Sequence, residues 1–241
     1  MAEPNKLSPM GNDQQEVERV AKAIYQVQVN RAREGVAAIN FDLNEMKRVM
    51  EVAISESDRA AAILLFSYAE DVMIEGIRRN VNGDIKGGFA SLIAPNGLLA
   101  TGSDRITFLA TLRWIDKPTY AAMNLLRGIR NRFAHHVACD SFDDKVVAGM
   151  VRSLPDFERP LTEQTGIKIE GLRQVYLSRA LLAVYRVMHE MAVLPHAIAQ
   201  NVDPRDVGGP YDERPANIHE LGLAAADCIL KLVPHDPKIG A

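Results

Sequence analysis

The segment Arg59–Val81, RAAAILLFSYAEDVMIEGIRRNV, restricts the fold of this chain more than any other stretch. Its first half is apolar on nearly every side, and a soluble helix of that kind has to be surrounded by other elements. Its length and its lack of two-residue alternation favour a helix over a strand. The rest of the chain supplies the neighbours. Helical apolar spacing recurs in QQEVERVAKAIYQVQVNRARE, with Val17, Val20, Ile24 and Val27, and in LNEMKRVMEVAI, with Leu43, Met46, Val49, Met50 and Ala53. It returns in SDRITFLATLRWI, DKPTYAAMNLLRGIRNRFAHH, SFDDKVVAGMVRSL, EGLRQVYLSRALLAVYRVMHEMAVL and ANIHELGLAAADCILKLV. Asp116 reads as a cap with Pro118 in the first turn of its helix, and Pro195 reads as the end of another.

No alternating strand pattern and no repeat of 20–50 residues is present. The expectation is an all-α bundle of seven or eight helices with N- and C-terminal helical extensions. Residues 1–13 read as a disordered tail, 14–200 as the helical domain, and 201–241 as a loop and helix packed on that domain. The glycine-rich stretch from Asn82 to Gly102 reads as a long ordered connection, as do the segments around Pro155 and Pro160 and from 201 to 216.

A chain of 241 residues, 47% hydrophobic and 24% charged, is long enough to bury a sizeable core. Its net charge of -3 argues against a protein that coats nucleic acid along its whole surface, though not against a local basic patch. The two cysteines, Cys139 and Cys228, are far apart and fit free thiols in a reducing compartment. Without an apolar leader or a run of about 18 apolar residues, a cytoplasmic protein with no membrane contact is expected.

One helix carries more than packing information. In LLRGIRNRFAHH, helical geometry places Ala122, Leu125, Leu126, Ile129 and Phe133 in one arc. Arg127, Arg130, Asn131, Ala134 and His135 fall on the opposite arc, with Asn131 and His135 one turn apart. A guanidinium matches phosphate oxygens with a planar fork of donors. An imidazole exchanges protons near neutral pH, and the RNA 2′-hydroxyl is an internal nucleophile. Metal-independent cleavage of RNA by Arg130 and His135, with Asn131 positioning, is therefore one reading. The plainer reading is that arginine and histidine complete a helix C-terminus and offset its dipole.

Other candidates are weaker. Asp58 and Arg59 read first as a helix start, with the option of pairing with the Arg130 face. His135, His136, Cys139, Asp140, Asp143 and Asp144 cluster in sequence, but no second ligand pair accompanies them, so neither metal nor cofactor is expected. Glu70, Asp71 and Glu75 read as a solvated acidic face or as ion-pair partners. NGDIKGG lacks the ending of a phosphate loop, and His189-Glu190 lacks the second histidine of a zinc protease.

The stretch RNRFAH resembles the Arg-Asn-x-x-x-His signature of HEPN domains, with Arg130, Asn131 and His135 at the matching positions. His136 also satisfies the spacing, and helix phase favours His135. Three blocks, ESDRAAAILLFSYAEDVM, NGLLATGSDRITFLATLRWI and IRNRFAHHVACDSFDD, together look like the mannitol operon repressor family, a HEPN-like group of bacterial regulators. The likeness covers about residues 50–155. It implies an all-α fold, a homodimer and a role in transcription regulation. No basic recognition helix or helix-turn-helix stands out, so a protein partner would supply the DNA contact. The wider HEPN resemblance implies the alternatives, a metal-independent ribonuclease or a nucleotide-binding module, with RNA or nucleotide at the Arg130 face and Arg127, Asp58 and Arg59 in support.

Overall fold

The computed structural model describes residues 12–81, 87–210 and 213–233. Among these residues every regular element is an α-helix, and there are eleven: α1 Asn12–Ala37, α2 Leu43–Ser55, α3 Asp58–Asn80, α4 Gly88–Ile93, α5 Gly102–Thr111, α6 Lys117–His135, α7 Lys145–Ser153, α8 Arg159–Thr165, α9 Leu172–Gln200, α10 Pro204–Gly208 and α11 Ala216–Leu230. The fold is all-α, and each helix expected from apolar spacing is present. The additional elements, α4, α8 and α10, are short and sit inside stretches expected to be connections. The expected disordered tail lies outside the described residues up to position 11, and α1 begins at Asn12.

Side-chain caps fix most of the starts. Asp42, Ser57, Asp116, Asp144 and Asp203 each accept a hydrogen bond from a backbone N–H of the first turn they precede. Thr101 and Asp104 form a reciprocal capping box at α5. No described helix is long and apolar enough to cross a membrane.

The main core is built on α3. Ala61, Ala62, Leu65, Phe66, Ala69, Met73 and Ile77 are buried along it, and α2, α5, α6 and α9 pack around it. Small residues in the first half of α3 let its neighbours approach closely. At the other end, a Cβ on Gly76 would lie 2.4 Å from the Met191 Cε of α9, so glycine permits the close crossing of the two longest core helices. A second, smaller apolar cluster joins Val29, Ala32 and Val36 of α1 to Ala192, Val193 and Ala197 of α9, with Val207 and Ile218 from α10 and α11. Helix α9 thus contributes to both clusters.

Two expectations need correction. Helix α9 does not stop near Pro195; it runs through it to Gln200 and ends on Asn201 in the left-handed conformation (φ 54°). A proline inside a helix leaves the carbonyl four residues earlier without its N–H donor. Here that carbonyl belongs to Met191, and the Asn80 side-chain amide at the end of α3 donates to it at 3.2 Å while also donating to Gly76 O at 2.9 Å. The proline is tolerated because a neighbouring helix replaces the missing donor.

The second correction concerns α1. The apolar stripe Val17, Val20, Ile24 and Val27 does not enter the core; these residues are 69, 46, 58 and 50% exposed. The helix docks through a different face, Val29, Ala32 and Val36, where Tyr25 Oη also donates to Asp206 at 2.6 Å and Arg33 to the Asp206 carbonyl.

The Asn80–Pro195 relation predicts non-additive stability. Asn80→Ala should cost about 1–3 kcal/mol in urea denaturation, the usual penalty of an orphaned partly buried carbonyl. Pro195→Ala, which restores a backbone donor to Met191 O, should recover roughly 1 kcal/mol more in that background than in the wild type. Simple additivity of the two substitutions would contradict the account.

Candidate functional site

The polar arc of α6 forms on a helix held at both ends. At its start, Asp116 caps the Thr119 N–H, and the buried Glu190 carboxylate of α9 accepts from Asp116 N and Thr119 Oγ1, both at 2.9 Å. Arg186 completes this cluster, reaching Glu190 at 2.6 Å while its guanidinium sits over the Phe157 ring. Burial pushes the Glu190 carboxyl above its usual range, against the pull of the Asp116 N–H and Arg186.

At the other end, α6 stops at His135, and His136 turns into extended backbone. The departing chain is pinned by the first turn of α3. The Arg59 Nη2 donates to the carbonyls of His136, Val137 and Cys139 at 3.1, 2.8 and 2.6 Å. Asp58 accepts from the Phe142 N–H at 2.8 Å and pairs with Arg173 of α9, which in turn donates to the carbonyls of Ala53, Ile54 and Glu56. The Phe142 ring stacks on Tyr176 at 4.3 Å and meets Phe133 edge-on at 5.3 Å. Asp58 and Arg59 therefore fix the loop that follows the motif and the junction between α2 and α9. Their hydrogen bonds go to that loop and to Arg173, and none joins them to Arg130.

Between these anchors the apolar arc is buried as its phase requires: Ala122, Leu126, Ile129 and Phe133 are at most 1% exposed, and Leu125 is half-buried. On the opposite side Arg127, Arg130 and Asn131 are half-buried, and Ala134 and His135 are exposed. Arg130 Nη1 donates to Asn131 Oδ1 at 3.1 Å, so the amide orients the guanidinium. Arg127 reaches only the Asn124 amide oxygen, at 3.5 Å. Arg132 lies 3.8 Å from Asp144, the cap of α7. The Nε atoms of Arg127, Arg130 and Arg132 are buried and have no hydrogen-bond partner among the described residues. No aspartate or glutamate occurs in the sequence between Asp116 and Asp140, so α6 carries positive charge with little local compensation.

This arrangement binds an anion more readily than it moves a proton. Two guanidiniums are braced by neutral amides, which hold them without cancelling their charge. The His135 ring has no hydrogen-bond partner among the described residues that would set its orientation, which general acid–base catalysis requires. Cys139 is buried, and that burial, with Asp144 nearby, pushes its thiol up despite the opposing Arg132 and Arg59, so it is poorly suited to act as a thiolate. Among the described residues no three histidine, cysteine or acidic side chains converge as a metal site.

A separate cavity of about 190 Å³ lies between α3, the α1–α2 turn and α9, walled by Phe41, Tyr68, Val72, Met188 and Met191. Sequence reading did not find it, because its walls come from segments far apart in the chain and none carries a motif. Asp42, Asp71 and Glu75 line it, and burial together with Glu45 and Asp42 pushes the Tyr68 phenol up. Arg79 also lines it but is paired with Glu75 at 2.7 Å, so Asp42 and Asp71 leave the wall with an acidic excess that disfavours a phosphate, and α6 is the better anion surface. Glu70, at the other side of α3, pairs with Arg105 at 3.1 Å, and Glu75 pairs with Arg78 and Arg79.

No family model, curated protein or solved structure matches this chain.

Arg59→Ala should release three carbonyls at the end of α6 and cost about 2 kcal/mol. In hydrogen exchange the amides of residues 136–142 should lose protection while those in the middle of α3 keep theirs. Unchanged protection across 136–142 would show that Arg59 is not the clamp.

Proposed function

We propose that this chain is a regulatory interaction protein of the mannitol operon repressor kind, HEPN-like in fold, which docks an acidic segment of a protein partner in transcription on the arginine face of α6. One observation carries this reading: the side-chain contacts of Arg127 and Arg130 are to the neutral amides of Asn124 (3.5 Å) and Asn131 (3.1 Å) rather than to acids, so their charge remains available to a partner. A bidentate guanidinium–carboxylate contact gains in strength when the guanidinium is already braced, because less side-chain entropy is lost on binding. The residues at which a catalytic role would be expected are not arranged as a catalytic set within one chain, since Asn131 serves Arg130 and leaves His135 without an orienting partner. Control would then be exerted through the partner's own DNA contacts.

The alternative reading, a metal-independent ribonuclease, is favoured by a different observation. His135 is exposed on the polar arc that also carries Arg130, so a second surface closing over α6 would complete an acid–base site there. A nucleotide-binding module would use the same guanidiniums without the imidazole.

Fluorescence anisotropy with an acidic peptide and with a single-stranded RNA oligonucleotide of equal charge separates these functions. The expected result is salt-sensitive binding of the peptide, weakened at least about tenfold by the pair Arg127→Ala and Arg130→Ala, the loss of roughly 1.4 kcal/mol, and unaffected by His135→Ala. The RNA should remain intact after prolonged incubation. RNA cleavage by the purified protein that disappears in both Arg130→Ala and His135→Ala would replace this reading with the ribonuclease.

A further inference from the structure

Helix α1 has two apolar faces, and its own chain uses one of them. Val29, Ala32 and Val36 are buried against α9, α10 and α11. Every residue from 14 to 27 is exposed, including Ala21 and Ala23, and within this half Tyr25 alone is shown tied to the body among the described residues, through Asp203 and Asp206 at the base of the exposed stretch. An isolated helix of that size is marginal in water even with good helix formers, and most helix stability in proteins comes from packing an apolar face. The free half spans about 21 Å at 1.5 Å per residue. It displays a continuous stripe of Val17, Val20, Ile24 and Val27, with β-branched side chains that water solvates poorly.

The spacing of that stripe identifies what covers it. The intervals of three, four and three residues are those of a two-helix seam in which knobs enter holes. The same intervals read identically in reverse, so the stripe is complementary to a copy of itself running the other way. The positions flanking the seam near its middle are Ala21 and Ala23, small enough for two backbones to approach. Charge selects the direction. Asp13 lies near the start of the helix, Glu16 and Glu18 beyond it are paired with Arg19 and Lys22 of their own helix, and Arg31 continues the stripe one turn beyond Val27. Parallel pairing would set Arg31 against its own copy, whereas antiparallel pairing turns it toward the acidic first turns of the other helix.

We propose that the free half of α1 is the interface with a second copy of this chain, the two helices crossing antiparallel about a two-fold axis level with Lys22. Val17 then faces the partner's Val27, and Val20 faces the partner's Ile24. The contact is isologous and closes at two chains. The free end of each helix reaches the turn at which the partner's α1 docks on its own body, which extends the buried surface beyond the seam. With a seam of two heptads the interface is at the small end of specific contacts, and dissociation in the micromolar range is expected. This surface lies outside the part of the chain that resembles known regulators, and its use does not depend on what α6 binds.

Sedimentation equilibrium on the full chain tests the proposal. The mass should rise with concentration from 26.6 kDa toward twice that value. The pair Val20→Glu and Ile24→Glu should hold it at 26.6 kDa. Both residues are exposed, so the cooperative melting of the main core should be unchanged. Oxidative cross-linking fixes the direction, and the native Cys139 and Cys228 are buried and should not interfere. Val17→Cys and Val27→Cys chains should cross-link when mixed and not when each is oxidised alone. A wild-type chain that stays monomeric, a dimer that survives the double substitution, or self-linking of each single variant would overturn the proposal.

Discussion

The crossing of α3 and α9 at Gly76 and Met191 is the contact on which the other packing depends. Both helices are long; α3 packs against α2, α5, α6 and α9, and α9 packs against α1, α2, α3, α6, α7, α10 and α11. At their crossing Gly76 offers no side chain, and the flexible end of Met191 fills the space between them. That closeness brings Asn80 within reach of the carbonyl released by Pro195, so the same contact that seats the two helices also repairs the interruption in one of them. Beyond that repair α9 continues into the smaller apolar cluster, where it meets α1 and α10, while α11 packs into both clusters. Helix α9 and helix α11 are the walls that the two clusters share.

The candidate site follows from the same frame. Helix α6 lies against α3 and α9, and each of those helices grips one of its ends: Glu190 and Arg186 at the start, Arg59 with Asp58 at the exit. A helix fixed at both termini cannot rotate to hide a charged side. Its three arginines therefore stay at the surface, although their stems lie along neighbouring apolar groups and bury each Nε. The electrostatic character of the protein is in this sense local. A chain with a net negative charge presents a positive stripe on one helix and an acidic rim around the cavity beside α3.

Much of this was legible in the residues. The eight longer apolar patterns produce helices where they were expected, and the phase of α6 separates Ile129 and Phe133 from Arg130, Asn131 and His135 as the structure does. What escaped reading has a common cause: it depends on contacts between segments distant in sequence. Pro195 reads as a helix end because the donor that rescues it sits on α3, more than a hundred residues earlier. Asp58 and Arg59 read as a helix start, which Asp58 is, but the carbonyls and N–H they hold lie beyond α6. The stripe on α1 escapes the same reading because apolar spacing reports an apolar face, and not whether the rest of the chain covers it. Asn131 reads as a partner of His135 by helical spacing, yet its amide turns to the adjacent guanidinium.

The rescue of Pro195 also ties the longevity of the fold to one side chain. An asparagine amide is slowly hydrolysed by water to a carboxylate, and at position 80 that change would remove the hydrogens that face Met191 O and set a negative oxygen against a carbonyl. A donor carried by the backbone does not age in this way. The longest described helix therefore depends on a side chain of α3 at which slow chemistry, without any substitution in the gene, converts a stabilising contact into a repulsive one.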